Sequence, residues 1–170
     1  MGMYVKISGE GLGDLKEAVA FMKNHRVLVG IPAANGGSRG EVTNVELAFI
    51  HTNGSPRLRI PPRPFLEPAI EEAKGKIEER MKASAQAAIE GDTGAAMGEL
   101  EKAGMYGENA VKDYFTGGHF APNAGITVEG GWMRNRISGK PFKVKGKGSS
   151  TPLIDTGSLR SSITHVIEGK

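Results

Sequence analysis

The chain has no cysteine among its 170 residues. Disulfide frameworks, thiolate metal sites and cysteine nucleophiles are therefore excluded, and the composition suits a reducing compartment. No apolar run approaches the roughly 20 residues that a membrane-spanning helix needs. The opening MGMYVKISGEGLGDL lacks the apolar centre of a secretion signal, and Lys6 stands where N-myristoylation calls for Ser or Thr. These absences predict a soluble protein made in the cytoplasm, with no membrane partner. Aromatic residues make up 6% of the chain, with one tryptophan, so no row of stacking surfaces is on offer to single-stranded nucleic acid. The net charge of +3 is too small by itself to mark a nucleic-acid-binding protein.

Catalytic signatures are equally scarce. His25, His51, His119 and His165 are far apart and form no HxxxH or HxH pair, so the sequence predicts no metal site. His51 ends a short helical segment, where a cationic imidazole is favoured. Gly9-Glu10-Gly11-Leu12-Gly13 misses the GxGxxG spacing by one position and reads as a turn. Gly146-Lys147-Gly148-Ser149-Ser150 has the composition of a phosphate loop without its spacing. Ser161 and Ser162 lack the GxSxG elbow of a serine nucleophile. The carboxylates Glu67, Glu71, Glu72, Glu78 and Glu79 read as a solvated helix face. The expectation is a protein with no catalytic residues and no cofactor, not an enzyme.

Glycine, by contrast, is abundant at 25 residues, and a chain of this length can bury a core without disulfides or metals. Residues 3–8 alternate like an opening strand. Residues 14–24 read as a short helix with Leu15, Val19 and Met22 as its apolar stripe. Residues 26–31 (RVLVGI) are the clearest strand, and residues 32–40 a loop or hairpin tip. Residues 44–51 suit two helical turns, stopped by Asn53-Gly54.

Residues 55–64 hold four prolines and must run extended. Residues 65–90 then form a long helix with Ile70, Ala73, Ile77, Met81 and Ala85 on one face. Gly91-Asp92-Thr93-Gly94 breaks it. A second helix over residues 95–115 puts Met97, Leu100, Gly104, Gly107, Val111 and Tyr114 on its face. Each helical glycine costs about 1 kcal/mol, which close approach to the neighbouring helix would offset. Residues 117–151 read as a flexible loop rich in glycine and lysine, residues 152–157 as a turn, and residues 158–168 as a returning strand. The fold class is therefore α+β, a single domain over residues 1–170. A small antiparallel or mixed sheet packs against two long helices, and the loops are rich in Gly and Lys.

Residues 132–150 carry Arg134, Arg136, Lys140, Lys143, Lys145 and Lys147 and no acidic residue, a stretch able to meet DNA phosphates or an acidic partner. Two other segments set backbone geometry. In Ile60-Pro61-Pro62-Arg63-Pro64-Phe65-Leu66 the prolines make a stiff strut that aims Arg63 and delivers Phe65 and Leu66 into the long helix. In Leu153-Ile154-Asp155-Thr156-Gly157-Ser158-Leu159-Arg160, Asp155 suits an Asx turn and Gly157 supplies unusual backbone angles. Leu159 then points inward and Arg160 outward, at the start of a strand or a brief helical turn. Phe65, Leu66 and Leu159 are expected to anchor the fold. Arg63, Pro64, Phe65, Asp155, Thr156, Gly157 and Arg160 are the candidate assembly interface.

A segment reading IPxRPFL, preceded by Ala48-Phe49-Ile50-His51-Thr52-Asn53-Gly54, resembles head–tail joining proteins of long-tailed bacteriophages. A PLIDTGxLRxSI segment and an Ala121-Pro122-Asn123 stretch before a basic run are also similar to theirs. These proteins are variously called tail-completion, neck or Mu-like virion-morphogenesis proteins. The resemblance spans residues 27–167. In some members the TGxLRxSI element precedes RPFL, whereas here it follows. The resemblance implies a homo-oligomeric ring, often sixfold, between the head connector and the tail tube or terminator. It implies a life in the host cytoplasm before incorporation into the virion; contact of the basic stretch with DNA in the lumen, without sequence preference, is an option beside it. Tail-terminator or head-closure duty is the neighbouring alternative, and a DNA-binding packaging accessory protein the alternative from another class.

Overall fold

The computed structural model describes residues 9–32, 37–39, 42–56, 60–117, 120–135, 138–148 and 157–169. The strand expected over residues 3–8 lies outside them. The elements are α1 (Gly9–Asn24), β1 (His25–Gly30), β2 (Ser38–Arg39), β3 (Val42–Thr43), α2 (Asn44–Asn53), α3 (Leu66–Ile89), α4 (Thr93–Gly117), α5 (Gly125–Glu129), β4 (Gly130–Arg134), β5 (Pro141–Lys145), α6 (Ser158–Ser161) and β6 (Thr164–Gly169). The class is α+β, as expected. The chain forms two compact units, one of Met1–Gly30, Glu67–Val111 and Ile163–Lys170, the other of Ile31–Leu66 and Lys112–Ser162.

In the first unit β1 pairs antiparallel with β6, Val27 opposite Ile167 and Val29 opposite His165. The long helices run antiparallel. Ser84 Oγ of α3 donates to the Ala96 carbonyl of α4 at 2.8 Å, and Arg80 bonds Glu99 at 3.1 Å. The Lys76 ammonium lies over the Tyr106 ring. Moving back along α3 thus moves forward along α4.

The buried residues of this unit are mostly small: Ala18, Ala69, Ser84, Ala88, Ala96 and Ala103, with Leu100, Val111 and Ile163. This corrects the expected stripes. On α1 Leu15 and Val19 are exposed, and Ala18 packs with Ala88 and Ala96 instead. On α3 the five stripe residues are half-buried, while Ala69, Ser84 and Ala88 go inside. Small side chains let helix axes approach, so the contact line follows size more than hydrophobicity.

The α4 face holds better, with Leu100, Gly104, Gly107 and Val111 all buried. At Gly107 a Cβ would sit 2.9 Å from Val29 Cγ2 and 3.2 Å from Ile70 Cδ1, the close helix approach the glycines predict. Gly104 differs: the space it leaves is filled by the His165 ring of β6.

Other expectations shift too. Gly9-Glu10-Gly11-Leu12-Gly13 is the first part of α1, not a turn. The returning strand begins only at Thr164, because residues 158–161 form the helical turn α6. Residues 117–151, expected as a flexible loop, include α5 and the antiparallel hairpin β4–β5.

Candidate functional site

In the second unit, α2 is the element on which the motif segments converge. A capping box starts it. The Glu46 amide donates to Thr43 Oγ1 at 3.2 Å, and the Thr43 amide donates to Glu46 Oε2 at 2.8 Å. The Thr43 amide, and the Thr43 hydroxyl donating to the same oxygen at 2.9 Å, hold the Glu46 carboxyl below its usual range. The Thr43-Asn44-Val45-Glu46 spacing is the signal that marks this start.

Asn44 follows, buried. Its amide donates to the Gly37 carbonyl at 2.8 Å and its Nδ2 to Ser158 Oγ at 3.2 Å, so the first turn of α2 is tied to α6. At the other end Asn53 Nδ2 donates to the Phe49 carbonyl at 2.9 Å, and Gly54 turns the chain at φ 71°. A Cβ there would lie 2.7 Å from the Ile60 carbonyl oxygen and 2.8 Å from Pro62 N. Only glycine lets the proline strut fold back this tightly. The strut is then fastened, the Arg63 amide donating to the His51 carbonyl at 2.7 Å.

Arg63, expected at a subunit contact, is buried within the chain. Its side chain is 7% exposed. Nε donates to the Ala121 carbonyl at 2.9 Å and the second guanidinium nitrogen to the Pro122 carbonyl at 3.1 Å. A buried guanidinium must find acceptors, and backbone carbonyls supply them here; burial lowers its pKa. Phe65 is also buried, its ring centroid 4.7 Å from that of Phe115. Leu66 is half-buried, and Pro64 is exposed.

His51 lies in the last turn of α2, where a cationic imidazole is favoured, but its surroundings oppose the charge. Burial, Arg63 and Lys147 all lower its pKa, and its buried Nδ1 has no hydrogen-bond partner among the described residues.

Asp155 and Thr156 lie outside the described residues. Gly157 is left-handed at φ 75°. Leu159 is buried and Arg160 exposed, as expected. Arg160 Nε donates to the Lys112 carbonyl at 2.8 Å, with Asp113 3.8 Å from its guanidinium.

The hairpin β4–β5 carries the basic stretch. Its register sets Trp132 opposite Lys143, Met133 opposite Phe142, Arg134 opposite Pro141 and Gly130 opposite Lys145. Asn135 closes the far end: its amide donates to the Lys140 carbonyl at 2.9 Å, and its Oδ1 accepts from the Ser138 amide at 2.9 Å. Lys140 is exposed at that turn, and Lys147 follows β5 with its amide donating to the Thr127 carbonyl at 2.9 Å. Arg136 lies outside the described residues. Among the described residues no group of three His, Asp or Glu is placed to hold a metal ion, and no helix is long and apolar enough to cross a membrane.

No family model, no curated protein and no solved structure matches the chain. The functional reading accordingly rests on the motif residues and their geometry.

Proposed function

We propose that this chain is a structural virion protein at the head–tail junction of a long-tailed bacteriophage or prophage. It assembles as a ring between the head connector and the tail tube. The observation that carries the reading is the fastening of α2. The three segments that resemble head–tail joining proteins, around Arg63, Ala121-Pro122 and Ser158, all bear on this one helix or on the strut that closes it.

Between its two fastened ends α2 holds Phe49 at 68% exposure and Val45 at 42%. They stand one helical turn apart and so form a ridge rather than scattered apolar residues. A ring needs a patch held at a fixed angle so that a heterologous contact closes. Pinned at both ends, α2 supplies that angle. Buried Arg63 sets the ridge from within, and Val45 and Phe49, with exposed Pro64 and Arg160 nearby in sequence to the fastenings, meet the neighbour.

Electron microscopy of the purified chain, alone and mixed with tail-free heads, tests this. Rings, or new density at the portal vertex, are expected. Heads that bind no chain, together with a chain that stays monomeric, would contradict the proposal.

A further inference from the structure

We infer that one face of the β4–β5 hairpin holds the phosphates of duplex nucleic acid without reading its sequence. In an antiparallel ribbon, residues directly opposite share a face and successive residues alternate. The register therefore divides the hairpin cleanly. Trp132, Arg134, Lys143 and Lys145 lie on one face, while Met133, Phe142 and Val144 lie on the other. The second face turns toward α5 at its Gly131 end, where an added Cβ would meet Ile126 at 2.8 Å. The first face is open: Trp132 is 70% exposed, and its three cations are exposed with it.

Among the described residues, every polar side chain on that face is a hydrogen-bond donor. Arginine, lysine and the indole N–H have no acceptor to offer. The sequence from Gly130 through Ile154 contains no carboxylate, Glu129 being the last before it. A surface of donors alone complements one of acceptors alone, and a phosphate backbone is such a surface.

The aromatic arrangement chooses between nucleic-acid forms. A single-strand groove stacks successive bases on successive rings, but Phe142 is on the opposite face from Trp132, leaving one ring. A two-stranded ribbon also fits the major groove of a duplex. The inference does not depend on the neck reading, since the hairpin residues are separate from those that fasten α2.

The test is fluorescence anisotropy of a labelled duplex titrated with the full chain over a range of salt, alongside the protein's own emission. Trp132 is the only tryptophan, so its emission reports on this face alone. We expect binding that quenches or shifts Trp132, with a log–log salt slope of about −3 for three cations at about −0.9 each. Lys143→Glu should weaken binding roughly tenfold at low salt and flatten the slope by about 1. Lys82→Glu, on exposed α3 surface, makes the same change in net charge and should leave binding nearly intact. Equal losses from both variants, no binding at low salt, tighter binding of single strands, or equal competition by polyglutamate would each overturn the inference. None of those results would bear on ring assembly, so the two proposals fail separately.

Discussion

The His165 imidazole of β6 lies over Gly104 of α4, in space that any other residue at position 104 would occupy. Its Nδ1 is 2.5 Å from Glu108 Oε2 and its Nε2 3.0 Å from Glu101 Oε1. The His165 amide donates to the same Glu108 oxygen at 3.1 Å. One glycine thus lets a strand histidine dock between two carboxylates of a helix.

Alanine substitutions along α4 should therefore differ in sign. Gly104→Ala drives a methyl into the His165 ring and Cβ, neither of which is the free end of a flexible side chain. Overpacking of that kind costs about 1–3 kcal/mol, more than the helix propensity gained. Gly98→Ala meets nothing within 4 Å and should stabilise by about 0.5–1 kcal/mol. Urea denaturation of the two variants checks the pair; equal shifts would refute the docking of His165.

The two described histidines with shifted pKa values should tune stability in opposite directions with pH. Burial lowers the His165 pKa, but the bonds and charges of Glu108 and Glu101 outweigh it and leave the value raised. Its stabilisation is complete below the unfolded value of about 6.5 and is lost as pH rises through the folded value. For His51 burial, Arg63 and Lys147 all lower the value. Its neutral form stabilises above about pH 6.5, and that contribution is lost as pH falls through the folded value. The stability gap between wild type and His165→Gln should narrow toward alkaline pH, and that for His51→Gln toward acid. Denaturation curves across neutral pH test both; gaps that narrow in the same direction would contradict the assignment.

Arg63 and Arg160, alike in sequence as motif arginines, should behave differently. Arg63→Ala removes two charge-assisted hydrogen bonds made by a buried guanidinium, a loss of about 2–3 kcal/mol. Arg63→Lys should not restore it, because one ammonium cannot reproduce the fork. Arg160→Ala, on an exposed side chain, should cost no more than about 1 kcal/mol. Thermal melts of the three variants decide; an Arg63→Ala protein as stable as wild type would place that guanidinium outside the fold.

Phe49→Asp separates folding from assembly. A surface substitution should change stability by no more than about 0.5 kcal/mol, while placing a charge on the α2 ridge should abolish the ring. Sedimentation velocity alongside a melt gives both readouts, and a variant that still forms rings would remove Phe49 from the interface.

The parts legible in the sequence were those written in punctuation and period. β1 showed in RVLVGI, α2 in its Asn53-Gly54 stop, and the helix pair in the break at Gly91. The buried lines of α1 and α3 were misplaced because alanine and serine carry little hydrophobic signal, although their size decides which face packs. The hairpin was hidden by glycines. Gly130 and Gly131 both have positive φ and blur the alternation of Met133 with Trp132 and Arg134, although Phe142 and Val144 alternate with Lys143 and Lys145 across from them. The burial of Arg63 was not legible because its acceptors lie 58 and 59 residues away, beyond any local pattern. Asn44 was missed for the same reason, its partner Ser158 being 114 residues on.

The most direct test of a head–tail joining role is electron microscopy of particles from a phage or induced prophage lacking this gene. Full heads and finished tails that remain separate, and that join when the intact chain is supplied, are the predicted result. Normally joined virions in its absence would contradict the account.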